Sequence, residues 1–546
     1  MRYDSLGNEA HALLRAALRG LALGLPLVAA FAGLGATPCR AEIGSWWGDL
    51  ERSLAVFDPV GQHVLRPIEE AIPGLALSGS YSLWSDAYLG GNQQVGFRNK
   101  DYRMPQNQSL LELELRYRVT PGIEITSINH LLYDSIYDMG DPDGLFADRA
   151  DEEFRMYDSA DRIARELYVS FRTPRLDVVI GKQQIAWGKM DGRFIDVING
   201  MDLRESVQLE SSDYEVRRMP AYMANVTYFF EKASLNFLWI PDFEGNFSPN
   251  YGSPWFSRLI PPDDAVARGD RDLREGQTTA FGDTIQHDRM SGWGAFNDHQ
   301  YAFRLDVQMG ALTWGLIYYY AWAKSPEDAI VGREVDAAGV PHLIFERRHS
   351  RLRHYGFTAD YATALRGVPL IGLLPVVMRA EALYTHGVPF TDYDKQMDAR
   401  AGDMSSGLSK RDTLRAAIAL EFAFPMNTTV ILQPSFYSTF HWRKSFGTGF
   451  GAAFGDEWAL LPILFIERPF RMTRDRLRIG GTFTPYFSGP ERGYQGTKSK
   501  LVASWEFSQF ITGKLIYTAF TGGDRDDAYG QYRHWDNVGM ELKYEF

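Results

Sequence analysis

The chain has 546 residues, with 57 Lys+Arg against 69 Asp+Glu and a net charge of −12. That balance excludes general binding to a phosphate backbone, which needs clustered Lys and Arg, so no nucleic-acid partner is expected. A composition of 45% hydrophobic and 23% charged residues excludes bulk disorder, and a mean hydropathy of −0.27 excludes several membrane helices. Two to four soluble domains or a single large β-barrel remain.

Arg2, Arg15 and Arg19 precede an apolar run, Leu21 to Gly35, that contains Pro26 and several Gly. The run is shorter than the roughly 20 residues of a spanning helix. Small residues around Ala41 then offer a cleavage site, so residues 1–41 read as a secretory signal peptide cut near Ala41. A membrane anchor and a lipoprotein built on Cys39 are the weaker alternatives. Cleavage would remove Cys39, the single cysteine, and with it any disulfide or thiolate site. No cofactor is expected.

Residues 42–73 do not alternate. Trp46, Trp47, Leu50, Leu54, Val56 and Phe57 suggest a short amphipathic helix stopped near Pro59, and Leu65 to Ile72 a second one. The segment reads as a periplasmic cap or a plug.

From residue 74 onward the dominant period is 2. Leu111, Leu113, Leu115, Tyr117 and Val119 alternate with Glu112, Glu114, Arg116 and Arg118, and the same pattern returns near 414–422, 501–507 and 538–546. In a soluble sandwich the apolar face points inward, and in a membrane barrel it points to lipid. Loop lengths favour the barrel. About eighteen strands (sixteen as the alternative) are joined alternately by short turns, such as 120–122, 173–175 and 231–233, and by long polar loops, such as 135–163 and 242–298. Short turns at one end and long loops at the other are the expected asymmetry of an outer-membrane barrel. The expected fold is therefore an all-β transmembrane antiparallel barrel over 74–546, with outer-membrane lipid and lipopolysaccharide as its surroundings. Tyr544 and Phe546 close the last strand as an aromatic assembly signal for the barrel-assembly machinery.

The stretch from Val179 through Lys182-Gln183-Gln184 and Trp187-Gly188-Lys189 to Gly192, followed by Asp196 to Asn199 and Asp202 to Glu205, resembles the signature of the domain-of-unknown-function 1302 family of proteobacterial outer-membrane proteins. Trp239 to Glu244, Gly252 to Trp255 and the closing hairpin share the resemblance. It implies an alginate-export-like barrel of eighteen strands. It also implies a periplasmic or lipid-anchored partner and an RND-type exporter, and so a role in moving apolar or amphipathic molecules across the outer membrane. A sealed adhesin or structural barrel is the alternative.

Loop 188–219 is expected to fold into the lumen, because Trp187, Phe194, Ile195 and Val197 would be costly in water. Lys182, Gln183, Gln184, Trp187, Asp191, Asp202, Arg204 and Glu205 are the candidate constriction residues. Asp196 is a further candidate for ion pairing within the loop. Asp202 and Glu205 have capping-box spacing for a short helix. The expected lumen lining is Glu112, Glu114, Arg116, Arg118, Arg379, Glu381, Arg415, Glu421, Arg476 and Arg478, with Glu541 and Lys543. Their signs nearly balance, which fits either cross-strand pairing or a transverse field. The acidic loop 134–161 reads as solvated or as a divalent-cation site, although its EF-hand spacing fails. No hydrolase or metal motif stands out, and His342, His349 and His354 lack metal spacing.

Overall fold

The computed structural model describes residues 58–89, 104–137, 159–190, 195–202, 214–247, 277–278, 284–287, 298–369, 371–403, 405–446, 456–489, 493–524, 527–533 and 535–546. Eighteen antiparallel strands form one sheet. In chain order they are β1 (Leu75–Tyr88), β2 (Gln106–Thr120), β3 (Ile123–Asp134), β4 (Ala164–Arg172), β5 (Leu176–Gln183), β6 (Ala221–Phe229), β7 (Ala233–Ile240), β8 (Gln300–Met309) and β9 (Leu312–Trp322). The others are β10 (Arg351–Val368), β11 (Gly372–Thr391), β12 (Leu408–Phe424), β13 (Thr428–Thr439), β14 (Trp458–Pro469), β15 (Leu477–Gly489), β16 (Gly493–Glu506), β17 (Ile511–Thr521) and β18 (Asn537–Glu545).

Each strand pairs with its neighbours in sequence, and β18 returns to β1, with Tyr81 opposite Tyr544 and Leu83 opposite Leu542. The barrel is closed and leaves no edge, which satisfies the backbone without water. Its outer face is apolar. Ile180, Leu316, Ile418, Leu501, Leu515 and Met540 all stand exposed in mid-strand. An apolar outside around a polar inside is the arrangement of a membrane-spanning barrel, the reverse of a soluble one. Near the long-loop end the outer rings of Tyr318, Tyr355, Tyr384 and Phe440 follow one another at 5.3, 6.2 and 6.2 Å between centroids. Phe171, Phe229, Phe230 and Met426 stand exposed at the short-turn end.

The fifth strand stops at Gln183, where the chain turns into the lumen. The β10–β11 hairpin is long, and a helix, Tyr393–Ala401, lies in the loop after it. Arg476 sits in the turn before β15 and not within the strand. Loop 324–349 forms a hairpin, 327–335 with 341–348, which a short parallel strand at 284–287 extends.

Pro59 opens a helix. Asp58 accepts the Gly61 N–H at 2.9 Å, and the chain stays helical through Ala71. A proline in the first turn removes only an N–H that lacks a helical partner anyway. Glu69 Oε1 accepts the Leu77 N–H at 2.6 Å, and the Tyr544 hydroxyl donates to Asp58 Oδ1 at 3.0 Å. The segment thus ties to the short-turn end of the β1–β18 seam. The expected helix over Trp46–Phe57 lies outside the described residues.

Candidate functional site

The segment after β5 leaves the wall and enters the lumen. Gly181 begins this departure. Its φ is +140°, and a Cβ there would lie 2.3 Å from the Leu167 carbonyl oxygen, so only glycine fits without displacing backbone. The segment is held at both ends. Asn199 accepts the Ile185 N–H at 2.8 Å through Oδ1 and donates to the Met219 carbonyl at 2.8 Å. Arg218 donates to Asp196 at 2.7 Å, both side chains being nearly buried.

The middle of the segment reaches strands far around the ring. The Lys189 N–H donates to Glu381 Oε1 of β11 at 2.7 Å, and Lys189 Nζ meets Asp360 of β10 at 2.7 Å. Arg304 of β8 donates to the Trp187 carbonyl at 2.8 Å while holding Asp306 at 2.7 Å. These bonds draw the loop across the lumen toward β8–β11.

Trp187, Ile195 and Ile198 are buried in one apolar cluster with inward-facing wall residues, among them Tyr319, Leu383, Tyr437 and Leu461. A second loop enters from the other side of the seam. Tyr529, Tyr532 and Trp535, between β17 and β18, are buried against Tyr88, Tyr486 and Phe520. The Trp535 ring lies 4.7 Å from Tyr532 and 6.1 Å from Tyr88. Sequence reasoning missed this loop. Its one signal was three aromatics at spacing three in a segment otherwise polar.

The expected constriction residues separate. Trp187 lies in the lumen. Gln183 faces inward, beside Asn225 at 3.3 Å. Gln184 donates to Glu166 at 2.8 Å. Lys182 does not line the lumen. It follows Ile180 on the outward face of β5, opposite Leu167, and binds the Asp161 carbonyl and carboxylate, both at 2.6 Å. Alternation alone explains this correction, since adjacent residues of a strand cannot both face inward. Asp202 bonds through its backbone to Arg217 and bridges to Phe247. Asp191, Arg204 and Glu205 lie outside the described residues, as does most of the acidic loop, 138–158.

Most wall charges are paired. Arg379 lies 2.5 Å from Glu421 and 3.6 Å from Asp360. Arg116 meets Glu114 at 2.5 Å within β2, Arg478 meets Glu506 at 3.2 Å, Lys514 meets Glu541 at 2.9 Å and Lys543 meets Glu545 at 2.6 Å. Glu112 faces His130, which sequence reasoning missed, at 2.6 Å. Arg118 is exposed beside the β2–β3 turn. Arg415 has no ion pair or hydrogen bond among the described residues. The three histidines are apart. His342 meets Asp336 in the outer hairpin, His349 meets the Ala323 carbonyl, and His354 lies in the wall beside Thr385.

Among solved structures the chain resembles a BenF-like porin from Pseudomonas fluorescens Pf-5, at 7% identity and a TM-score of 0.49 over 87% of this chain and 99% of that one. It also resembles OccK8 (OprE) of Pseudomonas aeruginosa, at 10% identity and a TM-score of 0.47 over 87% and 98%. OccAB2 of Acinetobacter baumannii matches at 9% identity and a TM-score of 0.47 over 87% and 98%. No curated protein matches the chain in sequence. Residues 80–546 match the family described as "Protein of unknown function (DUF1302)", and the chain belongs to that family.

Proposed function

We propose that the protein is an outer-membrane, porin-like channel whose constricted lumen passes apolar or amphipathic small molecules. The observation that carries this reading is the apolar waist. Trp187, Ile195 and Ile198 of the inward loop join Tyr319, Leu383 and Tyr437 of the wall in one cluster. A channel for small ions lines its narrowest part with charge or carbonyl oxygens. Here the ionic side chains of the wall largely neutralise one another, and the inward loop narrows the lumen with a packed apolar cluster. An eighteen-stranded wall alone would enclose a wide aqueous channel, so the inward loops set the selectivity.

A place in an export route, beside a periplasmic or lipid-anchored partner and an RND-type exporter, rests on the family resemblance alone. Slower efflux of an apolar dye from cells lacking the protein would support it.

The channel itself is tested by replacing residues 186–198 with a Gly/Ser link. The wall keeps its closed hydrogen bonding and should insert. Single-channel conductance in planar bilayers should rise several-fold. Equal conductance in the two proteins removes the loop as the constriction. Silence of both makes a sealed structural barrel the better reading.

A further inference from the structure

Between Val197 of the inward loop and strands β10 to β13 lies a cavity whose lining includes Leu352, His354, Leu383, Phe390, Arg415 and Tyr437. The sheet register arranges this lining in two levels. On one, Tyr319 lies opposite His354, His354 opposite Thr385, Thr385 opposite Thr413, and Thr413 opposite Thr439. On the next, Leu383 lies opposite Arg415, and Arg415 opposite Tyr437. The cavity therefore carries a row of hydroxyls above one guanidinium, with Val197, Val388 and Phe390 supplying apolar surface.

Arg415 differs from the other inward arginines. Arg304, Arg379 and Arg478 each hold a carboxylate. Arg415 is the one Lys or Arg on this lining, and none of the described residues accepts a hydrogen bond from it or pairs with it. Asp456, the one carboxylate on the lining, is engaged with other groups. His354 is committed on one side, with Nδ1 bound to Thr385 Oγ1 at 2.9 Å and its ring stacked on Tyr319. A half-buried guanidinium set among hydroxyls and apolar side chains, with its donors unused, is incompletely satisfied until something completes it. Its planar fork fits a carboxylate through two parallel hydrogen bonds. One positive charge suits one negative charge, and Val197, Leu383, Val388 and Phe390 on the same lining suit an apolar body.

We infer that this cavity is a binding subsite for an apolar monocarboxylate, with the carboxylate on Arg415 and the apolar body against Leu383, Phe390 and Val197. The inference rests on the channel reading and names the class of solute the waist selects.

The test is equilibrium dialysis of labelled hexanoate against the full chain in lipid nanodiscs, with empty discs as the blank. Binding should saturate, and unlabelled hexanoate should displace it while hexylammonium does not. Arg415→Gln should weaken binding by about tenfold or more, the size expected for losing charge-assisted hydrogen bonds. Arg415→Lys should retain part of it. Leu383→Glu sets a carboxylate directly across from Arg415 and should also abolish binding, which covers the case in which Arg415→Gln fails to assemble. Non-saturable uptake, equal uptake by wild type, Arg415→Gln and Leu383→Glu, or equal displacement by hexylammonium would overturn the subsite. Conductance is read separately. Saturable binding in a silent barrel leaves the subsite standing and defeats the channel. Conductance without hexanoate binding does the reverse.

Discussion

Ile180 and Ile195 lie on either side of the point where the chain leaves the wall. Ile180 is in β5 and 51% exposed on the outer face, while Ile195 is 0% exposed inside the lumen. The first is placed by alternation, since its strand needs only two neighbours and an apolar exterior. The second is placed by bonds to strands around the ring, from Trp187 to Arg304 and from Lys189 to Asp360 and Glu381. The wall is thus a repeating structure stabilised by ladders and lipid. The inward loop is a single, non-repeating structure stabilised by a few polar attachments. Damage to one should leave the other's signature recognisable.

The largest effect is expected where the wall closes. Gly79 of β1 bonds to the Phe546 backbone in both directions at 2.9 Å. A Cβ at Gly79 would lie 2.5 Å from the Glu112 carbonyl oxygen and 2.7 Å from the Phe546 ring. Gly79→Val should therefore prevent closure and remove the folded band that migrates apart from the heated protein in gel electrophoresis. A normal folded band would show that the seam has slack the geometry does not suggest.

The next effect separates loop from wall. Arg218 and Asp196 form a nearly buried pair, with side chains 11% and 2% exposed. Removing one partner of a buried pair leaves the other charge uncompensated, at a cost of about 3–5 kcal/mol. Arg218→Met should free the 184–199 segment, which limited proteolysis would detect as new cleavage there, while the folded band persists. Loss of the folded band as well would mean that the loop supports the wall, and the contrast drawn above would fail.

A smaller effect is expected at the far anchor. The Lys189 N–H has Glu381 as its acceptor, and the second Glu381 oxygen is buried without a partner. Glu381→Leu orphans that N–H, a cost of about 1–3 kcal/mol. Single-channel records should then flicker between two levels. Glu381→Gln keeps an acceptor oxygen and should hold one level. Identical traces from both variants would assign the anchor to Asp360 instead.

The same contrast explains what could be read in advance. Eighteen strands were legible because period 2 and turn residues such as Pro121-Gly122 are local signals, repeated at every hairpin. The inward placement of Trp187 and Ile195 was legible because both would be misplaced in water. The loop's partners were not, because nothing near Lys189 points to Glu381 and nothing near Asp196 points to Arg218. Lys182 was misassigned by reading its motif as a unit, although Ile180 and Lys182 share a face. The 522–536 loop was missed because its aromatics lie at helical spacing in a stretch without a periodic neighbour.

The smallest effect concerns the outer mouth, where wall and loop meet. Lys324 follows β9, and its carbonyl accepts the Asn246 N–H at 2.6 Å. Asn246 in turn accepts the Met201 N–H at 2.9 Å, so this rim anchors the exit of the inward loop. The Lys324 ammonium lies 5.1 Å from the Phe243 ring centroid. Burial lowers its pKa from 10.5 to about 8, against the pull of Glu244 and Asp242, which raise it. In an opened rim the lysine returns to its ordinary value. Between about pH 8 and 10.5 the opened rim therefore binds a proton that the closed rim does not. Closure should strengthen as pH rises through that window and should be independent of this group below it. Hydrogen exchange at residues 243–247, corrected for the intrinsic rate, should show protection rising from pH 7.5 to 9.5. Lys324→Met should flatten the trend. Protection that is flat or falling in the unsubstituted protein would mean that Lys324 keeps its charge in the closed rim, and that burial does not govern it.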